Sequence, residues 1–285
     1  MLSLHTNAAG LSAQNSITRT QTSLSTSMTR LSTGYRINSA MDDAAGLQIA
    51  TRLKAQTSGM AVAMRNTQNS TSMLQTAEGA LDEVSNMLVR MKDLATQAAD
   101  QSSTSSDKDA MQLEYDALGL ELANVLDKTT FGGAKLIVGG TVGSAMTFQI
   151  GASSTETMTV DLSTDVGQVV TDVTAVTANY AGTAGGAEVK TAGAATTAIG
   201  ALDTALASVG KVRSGLGAAA NRLEHVYNNL ANVSTNSKAA TGRIMDTDFA
   251  TESSNMTAKQ MLMQAGTAML KQTNQMSSMV MSLLQ

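Results

Sequence analysis

The 285-residue chain is long enough for one or two domains, and its 42% apolar residues are enough to bury a core. Aromatic residues make up only 2%, which argues against a thick globular core anchored by large rings. Pro and Cys are both absent. The lack of Pro permits very long helices. The lack of Cys excludes disulfides, thiolate metal sites and cysteine nucleophiles.

Charge is distributed unevenly along the chain. The formal net charge is −4, yet residues 1–41 and 253–285 contain no acidic residue and together carry +5. The span 42–252 therefore carries −9. The five basic residues of the two ends are Arg19, Arg30, Arg36, Lys259 and Lys271. No basic cluster is interleaved with aromatic residues, so nucleic-acid binding has no support.

Both charge-poor ends are amphipathic. Such segments have few charges to keep them solvated and too little core to fold alone. We therefore expect them to order when they pack against each other and against other copies; the alternative is ordinary terminal helices docked on their own domain. The apolar residues at near-heptad spacing are Leu11, Ile17, Leu24, Met28 and Leu31 at one end, and Met261, Ala265, Ala268, Met276, Met279 and Leu283 at the other.

The sequence predicts a long helix from Ser39 to about Ala99, with acidic residues in its first turn. Gly59 is expected to mark a bend or break. A heptad seam runs along this helix. Its members are Leu74, Ala77, Leu81, Val84, Leu88, Met91, Ala95 and Ala98.

Further helices are predicted at about 107–127 and 196–238, where Leu223 and Leu230 continue a three/four pattern. Between them the segment 135–195 is rich in Gly, Thr, Ser and Val, with alternating apolar residues that predict a β-hairpin. The predicted fold is therefore mainly α. Long antiparallel coiled-coil helices carry a small β-hairpin insertion, and the chain folds back so that its two ends pair.

Catalytic and ligand-binding patterns are not found in the sequence. The two histidines, His5 and His225, have no partner at metal-ligand spacing. The glycine pairs lack the context of a phosphate-binding loop. No apolar run of about 20 residues is seen, so no membrane span is expected, and the N-terminus lacks the features of a general secretory signal. We expect a protein that is not an enzyme and needs no cofactor or metal.

Two long motifs resemble one known family. RLSTGYRINSAMDDAAGLQIATRL at 30–53 is similar to the N-terminal signature of bacterial flagellins. LGAAANRLEHVYNNLANVSTNSKAATGRIMDTDFATESSNM at 216–256 is similar to the C-terminal one. The ending QAGTAMLKQTNQMSSMVMSLLQ and the stretch 147–162 also resemble flagellin segments. The resemblance covers about 1–137 and 196–285. Two departures are the Met-rich C-terminal region and the final Gln285.

The resemblance implies a structural subunit that polymerises into the helical flagellar filament for motility. It implies export in an unfolded form through the flagellar type III apparatus, and a secreted, extracellular location. The implied partners are other copies, the cap and hook–filament junction proteins, and an export chaperone. The implied domains are a terminal coiled-coil inner-tube domain at 1–41 and 246–285, and a rod-like outer-tube domain at 42–245. The latter has a β-rich segment at about 135–195, and no large outer domain is expected.

Candidate site residues follow from the heptads and from the resemblance. The family is sensed by a vertebrate Toll-like receptor, and the matching positions here are Arg90, Leu94, Gln97 and Glu114, with Lys92 and Asp93 departing from the family pattern. Two alternatives stay open: a hook–filament junction protein, or another coiled-coil component of a secretion apparatus. The predicted subunit-packing and assembly residues are Leu24, Leu31, Leu81, Leu88, Leu223, Leu230, Met279 and Leu283.

Overall fold

A computed structural model describes residues 7–181 and 185–283, with side chains described for 7–180 and 185–276. The chain is 77% helical, which confirms the mainly α prediction. The helices are α1 (Ala8–Thr33), α2 (Ala44–Ala99), α3 (Ser105–Lys128), α4 (Ser163–Val176), α5 (Ala192–Met245) and α6 (Phe249–Leu283). The strands are β1 (Thr130–Phe131), β2 (Ala134–Lys135), β3 (Met146–Gln149) and β4 (Thr157–Val160). A 3-10 turn covers Ala178–Ala181.

The described residues group into two compact units. The first, here called the terminal unit, is assigned to Met1–Thr57 and Thr235–Gln285. The second, here called the central unit, is Ser58–Ser234. The helices α2 and α5 each contribute to both units. The predicted inner-tube and outer-tube domains are defined by an assembly, so their bounds remain a prediction.

The start of α2 differs from the prediction by five residues. The Asp43 carboxylate accepts a 2.9 Å hydrogen bond from the backbone N–H of Gly46, so Asp43 and not Ser39 caps this helix. The Asp42 carboxylate instead accepts from the backbone N–H groups of Asn38 and Ser39. Those bonds lower the Asp42 pKa. The two acids thus stabilise the turn that leads into α2 and its first residues.

Gly59 does not break α2, so the predicted break at this residue was wrong. The helix is continuous from Ala44 to Ala99. Gly59 is instead a point of close approach, because a Cβ built there would lie 2.7 Å from the Cβ of Ala152. Ala152 belongs to the turn that joins β3 to β4. The missing side chain therefore lets the hairpin tip lie directly on the helix.

This contact predicts opposite effects for two glycines of the same helix. Gly79→Ala should stabilise the central unit by about 0.5–1 kcal/mol, because helical alanine is favoured and nothing lies within 4 Å of the new Cβ. Gly59→Ala gains the same helix propensity but must displace the hairpin tip, and overpacking of this kind costs about 1–3 kcal/mol. Urea denaturation of both variants measures the difference. Equal stabilisation by both would show that the tip does not rest on Gly59.

The predicted heptad seam of α2 is confirmed as the core of the central unit. All eight of its residues are buried, most of them at 0–1% exposure. Apolar residues of α3 and α5 complete the same cluster. Ion pairs between Lys92 and Asp203 at 2.5 Å, and between Asp82 and Arg213 at 2.9 Å, show that α2 and α5 run antiparallel. The residues from α3 and α5 include Tyr115, Leu122, Leu126, Leu202, Val209, Leu216 and Leu223.

The β-hairpin is confirmed, but the segment 135–195 is less rich in β-structure than predicted. β3 and β4 pair antiparallel, with Phe148 opposite Met158. A second hairpin joins β1 to β2 through Gly132 and Gly133, which both adopt positive φ. The correction concerns Ser163–Val176, which forms the helix α4. Valines at three- and four-residue spacing bury one face of it, namely Val166, Val169, Val173 and Val176.

The helix α5 is long and apolar enough to cross a membrane by length and composition alone, contrary to the expectation that no segment would qualify. Only 28% of the most apolar stretch is buried. The same helix supplies Leu202, Val209 and Leu216 to the core of the central unit. We therefore assign its apolar residues to helix packing.

Candidate assembly surface

The chain folds back so that α1 and α6 pair, as predicted. Three contacts show that the two helices are antiparallel. A Cβ on Gly266 would lie 2.9 Å from Ile17, the Lys259 ammonium donates a 2.7 Å hydrogen bond to the Ser27 hydroxyl, and Arg30 lies 3.8 Å from Glu252. In these three contacts the residue number rises along α1 while it falls along α6, as it must in an antiparallel pair. The absence of acids from α1 explains why Lys259 is held by a hydroxyl and not by a carboxylate.

The face of α1 that meets α6 repeats at three and four residues. Leu24 and Leu31 lie on this face and are partly buried, as is Ile17. Leu11 and Met28, from the same predicted stripe, are 54% and 55% exposed. The less exposed positions that follow this spacing are Gly10, Ala13, Ile17, Thr20, Leu24, Ser27 and Leu31, and Thr26 and Arg30 are also partly buried.

The face of α6 that meets α1 is not the stripe noted in the sequence. Met261 is 60% exposed and Met276 is 50% exposed, while Met263 is partly buried. Because each residue turns a helix by about 100°, Met261 and Met263 lie on different sides of α6. The residues that are least exposed form a separate heptad series: Glu252, Met256, Lys259, Met263, Gly266, Leu270 and Thr273.

A second apolar side of α6 is therefore left uncovered, and we call it the outer stripe. Its larger members are half exposed or more, with Leu262 at 61% and Met269 at 64%. No acidic residue occurs from 253 onward to charge this surface. Contiguous apolar surface of this kind marks an interaction site. The outer stripe consists of Met261, Leu262, Ala265, Ala268, Met269 and Met276. Met279 and Leu283 lie outside the described side chains.

Polar contacts hold the start of α6. The Asp248 carboxylate accepts hydrogen bonds from the Thr251 hydroxyl at 2.7 Å and from the backbone N–H of Ala250 at 3.0 Å. These bonds lower the Asp248 pKa. Arg30 lies 3.8 Å from both Asp42 and Glu252, too far for hydrogen bonds. Arg30 Nε and Glu252 Oε1 are buried without a described partner.

The predicted packing residues of the central unit lie in its core or beside it. Leu81, Leu88 and Leu223 are each at most 1% exposed, whereas Leu230 is partly buried. Their side chains thus stabilise the unit itself.

The four residues matched to the receptor pattern do not form one surface. Arg90 and Glu114 are joined by hydrogen bonds of 2.8 and 2.6 Å to one carboxylate oxygen, and both are about half exposed. Gln97 is exposed on α2. Leu94 is only 3% exposed and belongs to the core, so its assignment to an exposed patch was wrong. The heptad seam, which reaches Leu94 from Met91, explains this burial.

Within 7–181 and 185–283, no three His, Asp or Glu side chains are grouped in a way that could hold a metal ion. The acidic pairs at 42–43 and at 246 and 248 cap or precede helices, as the hydrogen bonds above show for Asp42, Asp43 and Asp248.

Comparison with known proteins identifies the family. The bacterial flagellin N-terminal helical region matches residues 4–141, and the bacterial flagellin C-terminal helical region matches residues 199–284. Polar flagellin F of Vibrio parahaemolyticus is 45% identical over 161 residues, which are 56% of this chain and 42% of that protein. B-type flagellin of Pseudomonas aeruginosa is also 45% identical, over 56% of this chain and 33% of its own length. The chain thus spans less than half the length of the curated relatives it matches.

Two solved structures are similar to the chain. Flagellin of Bacillus cereus is 32% identical, with a TM-score of 0.47, over 58% of this chain and 88% of that one. A flagellar hook-associated protein of Vibrio parahaemolyticus is 18% identical, with a TM-score of 0.56, over 72% of this chain and all of that one. This second likeness concerns the fold alone. With both terminal family regions matched in their proper order, the chain belongs to the bacterial flagellin family.

Proposed function

We propose that the chain is a structural subunit that polymerises with copies of itself into an extracellular flagellar filament. The observation that carries this proposal is the outer stripe. The helix α6 uses one side to pair with α1 and leaves a second apolar side half exposed or more. Burying such surface is favourable by about 25 cal/mol per Å². A second copy supplies a matching surface without requiring another protein.

Assembly can be tested directly with the purified chain. After salting out, negative-stain imaging should show long tubes, because the salt strengthens apolar association. Discrete oligomers would instead favour a coiled-coil component of a secretion apparatus. Short, capped structures that form only with hook protein would favour a hook–filament junction role. The relatives named above are called flagellins, and we therefore place the filament role first.

The terminal unit should gain order on assembly. Its paired helices bury few residues, among them Gly10 and Ser27 in α1 and Glu252 in α6. Such sparse packing permits frequent local opening. We expect the amide hydrogens of 8–33 and 249–276 to exchange rapidly in the dilute subunit and slowly in the polymer. Strong protection in the dilute subunit would contradict this part of the proposal.

We further propose export in an unfolded form through the flagellar type III apparatus, with an export chaperone, the cap and the junction proteins as partners. The composition suits this route. A chain without Cys cannot form disulfides during transit, and a chain without Pro avoids slow prolyl isomerisation on refolding. Deleting the type III export genes of the source cell should retain the protein inside. Normal extracellular accumulation in that strain would exclude this route.

A host Toll-like receptor is a further proposed partner, through Arg90, Glu114 and Gln97. Arg90 donates hydrogen bonds to one Glu114 oxygen, and this half-exposed ion pair fixes the position of both charges. Lys92 forms a separate ion pair with Asp203. A lysine makes no bidentate contact of the kind an arginine makes, and this weakens the match at position 92.

Arg90→Ala provides the test. The exposed ion pair contributes about 0–1 kcal/mol to stability, so the fold should be retained. If Arg90 is a contact of high energy, the substitution should weaken receptor-ectodomain binding by about thirtyfold. Lys128→Ala at the end of α3 is a suitable control for the loss of one exposed charge, because the Lys128 side chain is 72% exposed. Equal affinities of wild type and Arg90→Ala, or no binding by wild type, would refute this partner.

A further inference from the structure

Sulfur in this chain occurs only in methionine, because 19 Met and no Cys are present. Two groups of the described methionines contrast in exposure, while Met28 and Met41, exposed at 55% and 96%, lie outside both. In the core of the central unit the methionines are almost inaccessible, with Met91 at 0% and Met158 at 4% exposure. On the outer stripe of α6 they are open to solvent, with Met261 at 60% and Met269 at 64%. Small oxidants in water therefore meet the second group first.

We propose that Met261, Met269 and Met276 form a reversible oxidation site that controls self-assembly of the subunit. The proposal rests on the assembly role proposed for the outer stripe. The three residues lie within an arc of about 80° on α6, since they are separated by eight and seven positions. Oxidation would thus place up to three polar oxygens on the one apolar surface that a second copy is proposed to cover.

The chemistry requires a two-electron oxidant of the peroxide class. The thioether sulfur attacks one peroxide oxygen, the O–O bond breaks and an S–O bond forms. The sulfur loses two electrons to the peroxide, and the second peroxide oxygen leaves as water with both hydrogen atoms. The product, methionine sulfoxide, is polar and chiral. Methionine sulfoxide reductases return it to the thioether with two electrons and two protons from a thiol reductant, and the sulfoxide oxygen leaves as water.

The physical effect follows from the change in polarity. The exposed sulfoxide oxygen is hydrated in the free subunit, so oxidation should change the stability of α6 only slightly. When a second copy covers the stripe, each oxygen loses its water, and an unpaired buried polar group weakens association by about tenfold or more. Core methionines remain protected, so the central unit should keep its stability. Assembly is expected to fail without unfolding.

The test begins by treating the dilute subunit with hydrogen peroxide and locating oxidised residues by mass spectrometry. Met261, Met269 and Met276 should oxidise at least about tenfold faster than Met91 and Met158, as their exposures require. Salting out should then yield at least about tenfold less polymer than before treatment. Reductases of both sulfoxide epimers should restore it. In the preformed polymer the same three residues should be protected.

Variants separate this site from general oxidation damage. The triple variant Met261→Leu, Met269→Leu and Met276→Leu keeps apolar side chains of similar volume and should assemble equally well before and after peroxide. Met41→Leu removes a methionine that is 96% exposed but lies outside the helix pair, and should remain peroxide-sensitive. Undiminished assembly of oxidised wild type, or equal sensitivity of the triple variant, would overturn the inference. Failure of untreated wild type to assemble would instead refute the proposed function.

Discussion

Replacing Leu223 with alanine is expected to lower the free energy of unfolding of the central unit by about 2–5 kcal/mol. The Leu223 side chain is 0% exposed and lies in the cluster that joins α2, α3 and α5. Truncation removes buried methyl groups and leaves a cavity, because the three long helices can relax only slightly around it. Leu81→Ala should have an effect of the same size, since Leu81 is 1% exposed in the same cluster.

A matched control is available on α3. Leu113 is 73% exposed, so Leu113→Ala removes the same atoms from the surface and should change stability by less than about 0.5 kcal/mol. Urea unfolding followed by circular dichroism measures all three variants. Comparable losses in Leu113→Ala and Leu223→Ala would mean that the core of the central unit is not organised as described.

The second large effect concerns the outer stripe. Met269→Asp should leave the dilute subunit folded, because the side chain is 64% exposed and the new carboxylate stays hydrated. It should abolish polymerisation. A carboxylate covered by another copy without a cation loses its hydration, at a cost of several kcal/mol for each contact along the polymer. Sedimentation after salting out measures the assembled fraction.

Gln260→Asp is the control for the added charge. Gln260 is exposed on the same helix but is not part of the outer stripe, and it also becomes a carboxylate. That variant should still assemble, and both variants should retain the thermal unfolding of the wild-type central unit. Polymers formed normally by Met269→Asp would remove the outer stripe from the account, whatever the behaviour of Gln260→Asp.

The parts of the fold that were predictable from sequence are those with long repeats. The seam from Leu74 to Ala98 keeps three/four spacing over several turns, and such periodicity identifies a buried helix face. The motif match at 30–53 and 216–256 identified the family for a different reason, since it depends on residue identity. Alternation at Phe148 and Met158 similarly revealed one hairpin.

The helix α4 was missed because its buried face is built from valine. Valine is β-branched and favours strands, so the five valines of this segment weaken a helical prediction from sequence. Tertiary packing overrides that preference, and Val169 and Val173 are at most 1% exposed. The Gly132–Gly133 turn was a usable signal, since two glycines at positive φ suit a two-residue hairpin.

The polar contacts that hold α3 to the end of the central unit have no sequence signature. The Gln112 amide donates to Asp116 at 2.8 Å and to Glu188 at 2.9 Å, joining residues 76 positions apart. The Tyr115 hydroxyl donates to the Val176 carbonyl, and burial raises the Tyr115 pKa above its ordinary value. Such contacts join residues that are far apart in the sequence, so they depend on the tertiary structure and not on a local pattern.

The side of α6 that faces α1 could not be predicted from the sequence either. The helix carries two series at heptad spacing: one through Met263, which includes Glu252 and Lys259, and one through Met261, which consists of apolar residues. Nothing in the spacing shows which series faces α1. Close approach at Gly266 and the Lys259–Ser27 hydrogen bond select the first series. The second series therefore stays exposed, where another copy could contact it.

A helical reconstruction of the polymer formed by the full chain tests the central claim most directly. We expect Leu262 and Met269 of one subunit to lie in contact with apolar side chains of a neighbouring copy, while α1 and α6 remain paired within each subunit. A polymer in which the outer stripe faces water, or in which copies associate only through the central unit, would contradict it.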